Sequence, residues 1–70
     1  LLAQGKYDKA IEDFNAALNV DNRLGEAWAG LGLAYEKQNN RAKALESYQR
    51  ALTVEPGNAT ASAGLQRVRA

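Results

Sequence analysis

Apolar residues recur along this chain with the period of a helix. Between residues 7 and 20 they are Tyr7, Ala10, Ile11, Phe14, Ala17, Leu18 and Val20; between 41 and 54 they are Ala44, Leu45, Tyr48, Ala51, Leu52 and Val54. Steps of three and four place each set on one stripe of an amphipathic helix, and the alternation of a half-buried strand does not occur. Punctuation is sparse: Gly5-Lys6, Asp21-Asn22-Arg23, Asn39-Asn40 and Pro56-Gly57-Asn58. The segments between these marks run about 12 to 15 residues, an ordinary helix length. The pattern predicts an all-α chain with short antiparallel connections.

The two stripes are copies of each other. A shift of 34 residues lays Ala10 on Ala44, Ile11 on Leu45, Phe14 on Tyr48, Ala17 on Ala51, Leu18 on Leu52 and Val20 on Val54. The same shift carries Ala27 to Ala61, Ala29 to Ala63, Gly30 to Gly64 and Leu31 to Leu65. A fixed period of this size marks a stacked helical array, in which no unit can bury its faces alone.

Within Gly25–Asn58 stand Trp28, Leu31, Gly32, Tyr35, Ala44, Tyr48, Ala51 and Pro56. This series resembles the tetratricopeptide repeat signature, W-x₂-L-G-x₂-Y followed by A-x₃-F/Y-x₂-A and then P. The resemblance implies antiparallel helix-turn-helix units stacked as a right-handed α-solenoid. It divides the chain into the second half of one repeat (1–24), a complete repeat (25–58) and a capping or partial-repeat helix (59–70). The first part matches through Gly5, Tyr7, Asp8, Ala10, Phe14 and Ala17.

Two glycines inside one helical segment need a reason, because glycine costs a helix interior about 1 kcal/mol relative to alanine. Gly32 belongs to the signature and is expected where the two helices of a repeat cross, with Trp28, Leu31 and Tyr35 facing Ala44, Tyr48 and Ala51. Gly30 does not belong to it and points elsewhere. In the family, the first (A) helices of successive repeats line a groove that receives partners. By that resemblance the groove comprises Glu26, Ala29, Gly30, Leu33, Glu36 and Lys37, with Thr60, Ala63, Gly64 and Arg67 on the next helix. The pairs Ala29-Gly30 and Ala63-Gly64 beside Leu33 read as a shallow, backbone-lined trough for an extended peptide or a helix. The same small residues also suit tight packing between neighbouring helices, and Leu33 suits a lone surface leucine. Repeats that clamp a carboxylate use Lys, Asn and Arg in this groove; here only Arg67 could serve, which argues against such clamping.

The ends of the chain carry a second reading. Ala61, Leu65 and Val68 form a stripe that can pack back on the preceding repeat. Ser62, Gln66 and Arg69 stand where a further helix would need Trp, Gly and Tyr, so the array is expected to end near Ala70. At the other end Leu1, Leu2, Tyr7 and Phe14 lack most of the helix they should pack against. Self-association through that end, as a homodimer, is therefore the alternative to partner binding, on a surface read as separate from the groove.

Composition narrows the chemistry. The 70 residues contain no Cys, His or Met, and nine basic against eight acidic residues give a net charge of +1. Seventy residues allow one small domain, and without disulfides or thiolate metal sites its stability rests on helix packing. The missing initiator Met suggests a piece of a longer protein, and neither a signal peptide nor a preferred compartment is legible. No apolar run approaches the roughly 18 residues of a membrane span. Asp8, Glu12 and Asp13 cluster on a solvated helix face, and Glu46 with Arg50 reads as a surface ion pair. No enzyme, cofactor or metal is therefore expected. Lys37, Arg41 and Lys43, like Arg67 and Arg69, are interleaved with acids, which argues against nucleic acid. What remains is a non-catalytic scaffold for a protein or peptide partner.

Overall fold

The computed structural model describes residues 2–70, with side chains from residue 5 onward. Four helices follow one another: α1 (Leu2–Val20), α2 (Gly25–Lys37), α3 (Arg41–Val54) and α4 (Ala59–Arg69). Each packs on the next, and α2 also reaches α4, while α1 and α3 stay apart. The result is a slab of 33 × 32 × 16 Å, one pair of helices thick. The all-α repeat architecture is as the 34-residue period implies.

Local chemistry sets the helix ends. Asn39 takes φ 63°, the left-handed conformation that asparagine tolerates better than most residues, and it turns the chain out of α2. Asn40 then caps α3 by accepting from the Lys43 amide at 3.3 Å. Asn58 caps α4 by accepting from the Ala61 amide at 2.8 Å. Its own Nδ2 donates to Glu26 and Glu55, each at 2.8 Å, so one buried amide ties the start of α2 to the end of α3.

Two differences from the sequence expectation concern α1. It runs unbroken through Gly5-Lys6, where a chain break was expected. Nothing lies within 4 Å of where a Cβ on Gly5 would stand, so no packing forces a turn there. Val20, placed in the apolar stripe, is 89% exposed. It lies two residues past Leu18, about 200° around the helix, and so leaves the buried face.

Tyr48 is the centre of the core, fully buried among Ala29, Ala44, Ala51, Ala61 and Val68. A second cluster joins Leu18, Ala27 and Leu31 with Ile11, Phe14 and Ala17. Trp28 and Tyr35 border both clusters. The Trp28 indole N–H donates to the Asn22 carbonyl at 2.8 Å, and the Arg50 guanidinium lies 5.8 Å from its ring centroid. Arg50 thus leans on Trp28, and the expected pair with Glu46 is not among the ion pairs of the described residues.

Candidate functional site

The two small-residue pairs do not form an open trough. A Cβ on Gly32 would stand 2.6 Å from the Tyr48 ring, and one on Gly64 would overlap the same ring. A Cβ on Gly30 would overlap the Phe14 ring. Ala29 and Gly64 are buried, so of the expected trough only Ala63 is exposed and Gly30 half-exposed. The glycines are present because aromatic rings from α1 and α3 lie on them. Gly32 likewise admits a ring of α3 and not its backbone, which refines the expected crossing.

Three of the remaining charges are bound to one another or to the frame. Arg67 donates to Glu36 through Nε at 2.9 Å and Nη2 at 3.0 Å, a bidentate pair. The Tyr48 hydroxyl donates to the same carboxylate at 2.7 Å. Arg67 chiefly, with help from Tyr48 and against the cost of burial, holds the Glu36 carboxyl below its ordinary range. Burial, then Glu36, pushes the Tyr48 phenol well up. The trio joins α2, α3 and α4 and engages the Glu36 carboxylate, while the Arg67 side chain stays half exposed. Glu26 accepts from Asn58, as above.

Leu33 and Lys37 are different. With Gly30 and Ala34 of α2, and Tyr7, Ala10 and Phe14 of α1, they line an open cavity of about 280 Å³. Its lining is almost wholly apolar, and Lys37 is the one charged residue that contributes to it. Thr60, Ala63 and Glu26 are exposed but do not line it. The groove and the α1 end, read from sequence as two surfaces, therefore meet: Phe14 and Tyr7 share one cavity with Gly30 and Leu33. Leu1 and Leu2, named for the same end, have side chains outside the described residues. Ala10 and Ala34 were missed as lining residues. The signal was present in the 34-residue shift, which pairs Phe14–Gly30 with Tyr48–Gly64, but periodicity along one helix does not show which ring covers it.

Little here suits bond-making chemistry. Asp13 pairs with Lys9 at 3.7 Å on the exposed face of α1, and Asp8 accepts from Gln38. Among the described residues no three carboxylates gather where a metal ion could be held. Among the described residues no helix is long and apolar enough to cross a membrane.

Comparison with known proteins agrees with this geometry. The tetratricopeptide repeat family model matches residues 25–58, and a second TPR repeat model matches residues 1–39. The chain is 34% identical over 58 residues to Protein bimA of Emericella nidulans, covering 83% of this chain and 7% of that protein. It is 34% identical over 61 residues to Small glutamine-rich tetratricopeptide repeat-containing protein 2 of Mycosarcoma maydis, covering 87% of this chain and 17% of that one. To the Cell division cycle protein 27 homolog of Caenorhabditis elegans it is 38% identical over 58 residues, 83% of this chain and 7% of the relative. The chain thus spans well under a fifth of the length of these relatives. Signature, period, ring-on-glycine packing and both family models agree: the chain belongs to the tetratricopeptide repeat family, whose repeats are non-catalytic modules for protein–protein interaction.

Proposed function

We propose that this chain holds a protein or peptide partner on the face of α2, in the cavity where Leu33, Gly30 and Lys37 meet Tyr7, Ala10 and Phe14. The observation that carries the reading is the cavity itself: an apolar concavity with Lys37 as its one charged lining residue, on a chain whose other large apolar side chains are mostly packed. Apolar surface of this kind gains free energy when a partner removes it from water. Of the groove residues named from sequence, Leu33 and Lys37 are the contacts, with Gly30 as the floor. Ala29 and Gly64 serve the core, and Glu26, Glu36 and Arg67 hold the frame. Thr60 and Ala63 on α4 extend the same face.

The test is capture of partners on the chain beside a Leu33→Glu variant. Leu33 is partly buried against the core, so the helicity of the variant is matched to that of the parent by circular dichroism before capture. A partner retained by the parent chain and lost by the variant supports the reading; equal capture by both removes it. Gly30→Arg is unsuitable, because its side chain would collide with Phe14.

Self-association is the second reading, favoured by the same cavity, since a second copy could cover Tyr7 and Phe14. Light scattering over a dilution series separates the two. A monomer at every concentration removes self-association, and a dimer that Leu33→Glu dissociates favours it over a foreign partner.

A further inference from the structure

A second concavity lies on the opposite side of α2, and its walls are helices within the described chain. Trp28 stands about 200° around α2 from Gly30. Beside it Asn15, Leu18 and Asn19 of α1, Asn22 of the following turn and Arg50 of α3 line an open cavity of about 580 Å³. The space exists because α1 and α3 stay apart. Its chemistry is not a repeated feature: 34 residues on, Asn15, Asn19, Asn22 and Trp28 become Gln49, Thr53, Pro56 and Ser62.

The lining suits a carboxylate. Asparagine disfavours helix, and Asn22, Asn40 and Asn58 stand in a turn or at caps, where that is no handicap. Asn15 and Asn19 lie within α1, one turn apart and exposed, where no cap needs them. Across from them Arg50 stacks on Trp28, whose indole N–H is bonded to the Asn22 carbonyl. A stacked guanidinium keeps its edge donors for an anion. Among the lining residues there is no acid.

One turn nearer the helix N-termini the sign reverses. Glu12 precedes Asn15 by three residues and Glu46 precedes Arg50 by four, and the 34-residue step makes the two acids equivalent. The cations within reach of Glu46 along α3 both lean on rings of α2, Lys43 on Tyr35 at 5.7 Å and Arg50 on Trp28. Near Glu12, Lys9 pairs with Asp13. Among the described residues neither glutamate is in an ion pair. The cleft thus offers donors at one level and two carboxylates about 6 Å away along the helix axes.

We infer that this cleft receives an extended segment of a partner protein that carries an acid and a base two residues apart. The acid sits on Arg50, and the base sits between Glu12 and Glu46. Side chains two apart on an extended chain are about 6.6 Å apart, which matches the step between the two levels. An extended chain also leaves N–H and C=O groups for the Asn15 and Asn19 amides, whereas a helix uses its own internally. The site is independent of the Leu33 face, and either can fail alone.

The probe is a blocked ten-residue peptide of serine and threonine, with glutamate at its fifth position and lysine at its seventh. A second peptide has these two exchanged, since a chain can lie in the cleft in either direction. Controls carry glutamine at both positions or glutamate at both. Each is titrated at low salt into the 70-residue chain, and binding is read from the fluorescence of Trp28, the single tryptophan. One mixed-charge peptide is expected to bind about tenfold or more tightly than either control. Arg50→Gln should abolish the preference for the acid, and Glu12→Gln with Glu46→Gln the preference for the base. The two glutamates are exposed, so that pair of changes decides the matter if Arg50→Gln loosens Trp28. Equal binding of the glutamine control overturns the inference. Equal binding of the two-glutamate control does so too, by marking a plain anion site, as does absence of binding by both mixed-charge peptides.

Discussion

Tyr48 and Phe14 hold equivalent places one repeat apart, yet their surroundings differ. Tyr48 is contacted by glycines of both α2 and α4, and its hydroxyl is tied to Glu36. Phe14 is contacted by one glycine, Gly30, and lines the open cavity. The same packing device therefore gives a finished core in one repeat and a receptive surface in the other. In this fold, core and binding site differ by one neighbouring helix.

The largest consequence should come from removing the two rings. Tyr48→Ala is expected to cost about 3–5 kcal/mol, enough to leave a domain of this size largely unfolded by circular dichroism. Phe14→Ala, at a half-exposed site, should cost about half that or less. Equal losses in urea titrations would erase the distinction drawn between the two rings.

The glycines sharpen it. Gly32→Ala forces a methyl group into a ring that has nowhere to move, and about 1–3 kcal/mol of overpacking should outweigh the gain of roughly 1 kcal/mol in helix propensity. Gly30→Ala meets the far end of the Phe14 ring, which can swing toward the cavity. Its net effect should lie within about 1 kcal/mol of zero. A thermal melt of each variant decides the matter.

A smaller loss is expected between the repeats. Asn58→Ala removes a buried cap together with the bridges to Glu26 and Glu55, and about 1–2 kcal/mol should follow. Asn40→Ala, on a longer and exposed cap, should cost less than half of that.

The smallest effect is electrostatic. The folded chain holds Glu36 below its ordinary pKa, so on acidification the unfolded chain takes up this proton first. The contribution of Glu36 is therefore complete above the ordinary value of 4.5 and is lost as the pH falls through the lower folded value. The stability gap between the chain and a Glu36→Gln variant should shrink from about pH 6 to about pH 3.

Much of the fold was legible in the sequence. Stripes at helical spacing placed α1 and α3, the turns at Asp21-Asn22-Arg23, Asn39-Asn40 and Pro56-Gly57-Asn58 marked the helix ends, and the 34-residue shift disclosed the stacking. The continuous path of α1 through Gly5 was not legible, because glycine permits a turn without requiring one. The site was legible in part. Leu33 follows once the signature residues are assigned to the core, and Lys37 came with the groove positions that the family resemblance implies. Gly30 and Gly64 were read as open floor, since a sequence shows which face of a helix is small but not which distant ring lies over it. Arg50 shows the same limit. Its spacing from Glu46 allows a pair, while Trp28, 22 residues away in the chain, offers the surface it takes.

The ring held between Gly32 and Gly64 also sets a length. With no side chain on either glycine, both α2 and α4 come into contact with the Tyr48 ring, and its bulk helps set their separation there. Phe14 contacts Gly30 in the same way one unit earlier. Where spacers are uniform, each unit advances by the same amount and the winding stays regular. A bulkier aliphatic side chain at either place would keep the contact apolar but widen one step. The superhelix would then change its curvature at that unit alone, re-aiming everything beyond it.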